Sequence, residues 1–209
     1  MAILIFFAFI TIFAYIFIRS AWFKGKFGEF FVNLMFKIRL PKGQYEIIHN
    51  VTLRTEDGTT QIDHIILSVF GIFVVETKNM KGWIFGSKEQ PLWMQQIFKF
   101  KAQFQNPLRQ NYKHTQTLGK LLSVLGIGNE KIFSLVVFVG DSKFKTKMPE
   151  NVTYGGGAVS YIRSKKKIIM SYEQISQAKG IIMGNMLERG FKTDREHTKH
   201  VKTIVENKN

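Results

Sequence analysis

The stretch Gln61-Ile-Asp-His-Ile-Ile-Leu-Ser-Val-Phe-Gly-Ile-Phe-Val-Val-Glu-Thr-Lys-Asn79 holds two runs of branched and aromatic residues on either side of Phe70-Gly71. That pattern predicts two antiparallel strands joined by a tight turn. Strands of this composition are buried, yet Asp63, Glu76 and Lys78 interrupt them. Buried charges are costly unless they are paired or hold a metal. Side chains alternate along a strand, so Glu76 and Lys78 share one face while Thr77 takes the other. A hairpin centred on Phe70-Gly71 sets Asp63 opposite Lys78 and Ile65 opposite Glu76, which gathers all three charges on one face.

Opposed residues have Cβ atoms about 5 Å apart and diagonal ones about 7 Å, so the two carboxylates reach one ion between them. Hard oxygen donors of this kind suit Mg²⁺ or Mn²⁺. Such a cation would polarise a phosphoryl oxygen and position a water in phosphodiester hydrolysis. Lys78 would then orient or help deprotonate that water, or stabilise charge growing on the phosphate. The competing reading is a plain cross-strand ion pair between Asp63 and Lys78, worth about 0.2 to 1 kcal/mol, with Glu76 solvated at a strand end.

Outward from this hairpin, Tyr45 to Arg54 adds a strand before Glu56-Asp57-Gly58, which completes a three-strand meander over 45–54, 61–69 and 72–78. Apolar positions 30, 31, 34, 35 and 38, ended by Pro41, predict a helix from Gly28 to Leu40. Asn106-Pro107 opens a helix that Gly126 closes, and Ile132 to Val139 (IFSLVVFV) is a strand covered on both faces. A weaker strand near Ala158 to Ile162 and a helix from Tyr172 to about Leu187 finish the outline. Gly155-Gly156-Gly157 lacks the Lys-Ser/Thr of a phosphate loop and predicts a turn. The fold class is therefore α/β, a mixed β-sheet flanked by helices in the order helix, three strands, helix, strand.

Composition narrows the chemistry further. The chain has 209 residues, 45% hydrophobic, with 20 Phe and no Cys, enough for one ordinary domain and a packed core. Zero Cys excludes thiol nucleophiles and thiolate metal sites. Thirty Lys and Arg against 15 Asp and Glu give a net charge of +15, which attracts phosphate backbones and anionic lipid alike.

The segments Gly28-Glu29, Gln61-Ile62-Asp63-His64, Gly71 to Lys78, Gly82-Trp83-Ile84-Phe85-Gly86, Trp93 and Asn106-Pro107-Leu108-Arg109-Gln110 stand in the order and spacing of a known family. Over roughly residues 25 to 140 the chain resembles the nuclease-related domain, NERD, which is similar to the restriction-endonuclease-like fold with its D...(D/E)xK core. The resemblance implies a metal-dependent nuclease acting on DNA or RNA. It places Asp63 and Glu76 as metal ligands, Lys78 as a catalytic residue and Glu29 as the N-terminal acidic position. Gln61, on the face of Asp63, and Arg109 and Gln110, near a positive helix start, are candidates for substrate contact. For Asn106 to Gln110 the other reading is a helix cap alone. Trp83, Phe85 and Trp93 are read as packing aromatics, and His64, on the opposite face from Asp63, as structural.

Met1 to Ile18 carries no charge, and Thr11 is its only position outside the hydrophobic set. At 1.5 Å per residue this stretch extends about 27 Å, long enough to cross a bilayer as a single anchor. Arg19, Lys24, Lys26, Lys37, Arg39 and Lys42 follow it, which predicts a single-pass protein of the cell membrane with its C-terminal domain in the cytoplasm. The expected organisation is an anchor at 1–18, a basic juxtamembrane segment at 19–24, the domain at 25–187 and a charged tail at 188–209. The functional alternative from another class is a non-catalytic module of the same fold that binds nucleic acid or serves as a membrane-associated scaffold.

Overall fold

The computed structural model describes residues 20–188. The predicted anchor and all of the charged tail beyond Glu188 lie outside the described residues. Among the described residues no helix is long and apolar enough to cross a membrane.

Helix α1 (Ala21–Arg39) starts from Ser20, whose hydroxyl accepts a hydrogen bond from the Phe23 amide at 3.1 Å. It starts earlier than the apolar periodicity predicts, because a capped start lets Phe23 and Phe27 extend the helix ahead of the first core-facing turn. Gly28 is what allows α1 to cross the sheet closely: a Cβ there would lie 2.8 Å from Asn79 Cβ and 3.3 Å from Val139 Cγ2. That crossing carries the next residue, Glu29, to the candidate site.

The meander forms as expected from β1 (Glu46–Thr55), β2 (Gly58–Ser68) and β3 (Gly71–Asn79). Strand β7 (Ile132–Val139) runs parallel to β3, and β9 (Val152–Tyr154) runs parallel to β7, which gives the order β1-β2-β3-β7-β9. Helix α2 (Pro107–Leu122) ends in a 3-10 turn (Ser123–Leu125), and Gly126 stops it in the left-handed conformation. Helix α4 (Tyr172–Asn185) starts with a capping box of Ser171 and Gln174.

Alternation along the strands sorts two cores. Ile65, Leu67 and Val74 pack with Leu118 of α2 and Ile182 of α4, while Ile66, Phe73 and Val75 pack with Val32 and Phe36 of α1 and with Ile162.

Two parts of the outline need correction. Residues 82–105 are not an aromatic-packed loop but the strands β4 (Gly82–Phe85), β5 (Leu92–Ile97) and β6 (Phe100–Gln105), which join β8 (Ser142–Phe144) in a second sheet, β6-β5-β4-β8. Trp93 is nevertheless a packing residue, 1% exposed and stacked on Phe138 of the main sheet. The weak strand near Ala158 to Ile162 is instead helix α3 (Gly155–Ser164), whose first turn is the glycine triplet. Ala158, Val159 and Ile162 are buried on one helical face, and that packing outweighs the poor helix propensity of the three glycines.

Candidate active site

Strands β2 and β3 part company at the charged residues. Their ladder runs from Ser68↔Gly71 to His64↔Val75 and stops, while β3 goes on pairing with β7 as far as Asn79↔Val139. The turn is therefore Val69-Phe70, one residue earlier than the sequence suggests. Continued, this register sets Asp63 across from Glu76, and the expected pairs of Asp63 with Lys78 and Ile65 with Glu76 are corrected. Ile65 faces Val74.

In the fork that opens, the Asp63 carboxylate takes the place of a strand partner and accepts a hydrogen bond from the Thr77 amide at 2.7 Å. The other side of β2 is loosened as well. Asn50, between His49↔His64 and Val51↔Ile62, is left out of the ladder and holds φ at 54°. Asn tolerates this left-handed region better than most residues. The Asn50 side chain accepts a hydrogen bond from the Gln61 amide, so Gln61 is anchored beside Asp63 rather than free to swing.

Glu76 is 3% exposed, and both its oxygens are bonded: Lys78 Nζ lies 2.7 Å from Oε1 and His114 Nε2 lies 3.2 Å from Oε2. Lys78 also donates to Gln110 Oε1 at 2.9 Å, and Nδ1 of His114 lies 2.7 Å from Thr60 Oγ1. Helix α2 thus closes over the fork with Gln110 and His114, which are four residues apart and so on one helical face. The ion pair that forms is Lys78 with Glu76, and Glu76 is not solvated, so neither half of the plain ion-pair reading describes the site.

The two acids sit in different fields. Burial pushes the Asp63 carboxyl well above its ordinary range, the negative charges of Glu76 and Glu29 push it further, and the Thr77 amide and Lys78 oppose this without cancelling it. Burial by itself would also raise Glu76, but Lys78 and His114 outweigh it and hold Glu76 down to about 2. Glu29 is thus close enough to act electrostatically on Asp63, and its own carboxylate meets Lys26 at 3.2 Å.

Arg109 lies elsewhere. It donates to the Glu89 carbonyl, and Asn106 caps α2 while donating to the carbonyls of Ser87, Lys88 and Gln90. The Asn-Pro segment therefore fastens the 87–90 loop to the helix start, and of its two polar candidates only Gln110 reaches Lys78. Asn50, Thr60 and His114 were not found from sequence. His114 had a signal, its i, i+4 relation to Gln110; Asn50 and Thr60 had none.

A cleft of about 1270 Å³ borders the fork through Gln61, Gln110, His114 and Thr60, and continues past Arg54, Lys113 and Lys120. Among the described residues no three His, Asp or Glu side chains form a ready-made metal cage. The donor set still fits a hard divalent cation. Asp63 lies within electrostatic reach of Glu76 and Glu29 at the fork, and Mg²⁺ is commonly held by one or two carboxylates with its remaining positions left to water or phosphate oxygens.

Comparison with known proteins shows the family. Residues 24–139, more than half of the chain, match the nuclease-related domain. The chain belongs to the NERD family. It is also 52% identical over 100 residues to an uncharacterized protein of Bacillus anthracis, a match covering 47% of this chain and 47% of that protein. The NERD match begins within α1 and ends at the last residue of β7. It therefore contains both strands of the fork, three of the four strands of the second sheet and the helix that brings Gln110 and His114, and it leaves out β8, β9, α3 and α4.

Proposed function

We propose that this NERD protein is a divalent-metal-dependent nuclease that hydrolyses phosphodiester bonds of DNA or RNA. The observation that carries the reading is the fork itself, where two carboxylates and one ammonium meet at the end of two diverging strands beside a cleft with basic residues. Asp63 and Glu76 would hold Mg²⁺ or Mn²⁺, with Glu29 as an outer contributor. The metal, when bound, supplies Lewis-acid polarisation of a phosphoryl oxygen.

The chain's own residues do the rest. Glu76 and Gln110 hold the Lys78 ammonium at a fixed place, where it can meet charge developing on phosphate or orient the attacking water. Gln61, fixed by Asn50, lines the adjoining cleft. Arg54 and Lys113 give the adjoining cleft a positive wall for a phosphate backbone, with little base readout and marked sensitivity to salt. Residues 1–18 would hold this domain at the inner face of the cell membrane.

The test is cleavage of single- and double-stranded DNA and RNA by the full chain in mild detergent with Mg²⁺ or Mn²⁺. Asp63→Asn, Glu76→Gln and Lys78→Ala should each lower turnover by at least about 10²-fold. Equal cutting by all three would falsify the reading. A second reading, a binding module without turnover, draws on the full occupation of both Glu76 oxygens by protein partners. It requires salt-sensitive binding of the same nucleic acids that EDTA leaves unchanged.

A further inference from the structure

Helix α1 is apolar on the face that meets the core and apolar again on the face that does not. Val32, Met35 and Phe36 are buried against the sheet. On the other side Phe27, Phe30, Phe31, Leu34 and Ile38 are 44 to 70% exposed. At 100° per residue these five fall within an arc of about 100°, directly opposite the buried one. A helix apolar all round is normally covered all round. Basic residues flank the stripe, with Lys26 and Lys37 along one border and Lys24 along the other, while Arg39 lies further round the helix.

We infer that the outward face of α1 lies in the interfacial layer of an anionic lipid bilayer, as a lipid-docking surface separate from any spanning segment. With Lys24, Lys26, Glu29, Lys37 and Arg39 along its length, α1 is suited to lie on a membrane rather than cross it. The chain can change direction just ahead of it, because Ser20 has extended dihedrals (φ −61°, ψ 146°) and caps the helix. An uncharged segment of the right length to span thus meets, at a bend, a helix of the right character to lie flat.

Two other coverings fit less well. A second copy of the chain would bring like-charged borders together on a protein of net charge +15. The apolar segment 1–18, laid on the stripe, would expose its own outer side, which is equally apolar. Anionic headgroups match the basic borders, and acyl chains match Leu34 and Ile38, which have no aromatic face to stack on a base.

The second sheet exposes another apolar feature. The β5–β6 turn exposes Phe98 and Phe100 at 91% and 84%, beside Lys99 and Lys101. Gln95 of that hairpin donates to the Lys81 carbonyl, and Asn79, two residues before Lys81, donates to the Lys24 carbonyl of α1. The aromatic tip is thereby linked to the start of the docking helix.

Because the chain has no Cys, single cysteines report cleanly. Full chain bearing Phe30→Cys, Leu34→Cys or Ile38→Cys, or Tyr172→Cys on α4 as control, would be labelled with an environment-sensitive fluorophore and mixed with phosphatidylcholine vesicles with and without phosphatidylglycerol. The stripe positions should brighten at least about threefold with anionic vesicles and be quenched by lipids spin-labelled near the headgroup, while position 172 stays aqueous. The inference is overturned if the stripe stays aqueous although the protein floats with the vesicles, or if the protein does not float. It is equally overturned if the stripe is already shielded without lipid. The readout does not use nucleic acid, so it stands or falls apart from the nuclease reading.

Discussion

His114 Nε2 lies 3.2 Å from Glu76 Oε2, and the same ring meets Thr60 Oγ1 through Nδ1 at 2.7 Å. Glu76 is held as a carboxylate and can only accept, so Nε2 carries the proton that His114 donates to it, while Nδ1 and the Thr60 hydroxyl share the second hydrogen bond. One imidazole therefore ties β3 to β2 across the mouth of the fork and holds the Glu76 carboxylate in a fixed orientation.

Substituting that ring should loosen the site from within. His114→Ala leaves a buried carboxylate oxygen and the Thr60 hydroxyl unpaired and opens a cavity. The expected loss is about 2 to 4 kcal/mol, seen as a lower urea midpoint at unchanged m-value. His114→Gln, which can still donate to Glu76, should lose less. Equal stability of the two variants and the parent would mean that the imidazole holds nothing in place.

Asp63 makes the opposite prediction. Its charge is crowded by Glu76 and Glu29, while its contact with the Thr77 amide needs only an acceptor. Asp63→Asn keeps an acceptor and removes the repulsion, so the variant should melt at or above the parent temperature without metal. Mg²⁺ should raise the melting temperature of the parent and leave Asp63→Asn unmoved. A similar metal-induced rise in both would take Asp63 out of the ligand set.

How much of this could be read in advance depended on where the deciding contacts lay. The strand Ile132 to Val139 was plain because its apolar run needs no knowledge of its neighbours. The carboxylates and Lys78 were legible as charges out of place in buried strands. Their register was not, because a turn at Val69-Phe70 and one at Phe70-Gly71 look alike in composition but shift every cross-strand partner. The second sheet escaped notice because β5 and β6 are rich in Gln and Lys, and their buried anchor, Trp93, packs on Phe138, 45 positions away in the sequence. Asn50 gave no sign because a left-handed Asn within a strand is a response to the fork and not a local preference.

On the back of β2, directly after Asp63, His64 is 1% exposed and sits edge-on to Phe36, with Nδ1 unpartnered. Burial lowers its proton affinity to about 3, and the neighbouring His49 adds to this. The unfolded chain takes up a proton at this residue below about pH 6.5, and the folded chain does not until far lower. Folding stability is thus lost as pH falls through 6.5, by about 2 kcal/mol at pH 5. Glu76 adds a separate loss at lower pH, since its charged form stabilises the fold above the unfolded carboxyl range and is lost as pH falls toward 2. Urea titrations of His64→Gln should therefore show less loss of stability from pH 7 to 5 than the parent does. Parallel declines would show that His64 is not the responsible group.

Lys78 and Gln110 allow the proposed catalytic arrangement to be taken apart. If Gln110 acts only by steadying the ammonium it touches at 2.9 Å, then Gln110→Ala should lower kcat in the parent by about 3- to 30-fold and should have no further effect in a Lys78→Ala background. If instead Gln110 contacts the substrate by itself, its loss should raise KM by the same factor in both backgrounds. The Lys78→Ala single variant should keep its affinity for an uncleavable phosphorothioate oligonucleotide within a few-fold of the parent while its turnover falls by at least about 10²-fold, because one ammonium adds little to a multi-contact phosphate track. Additive effects of the two substitutions on kcat would separate the residues and leave Lys78 positioned by Glu76 alone.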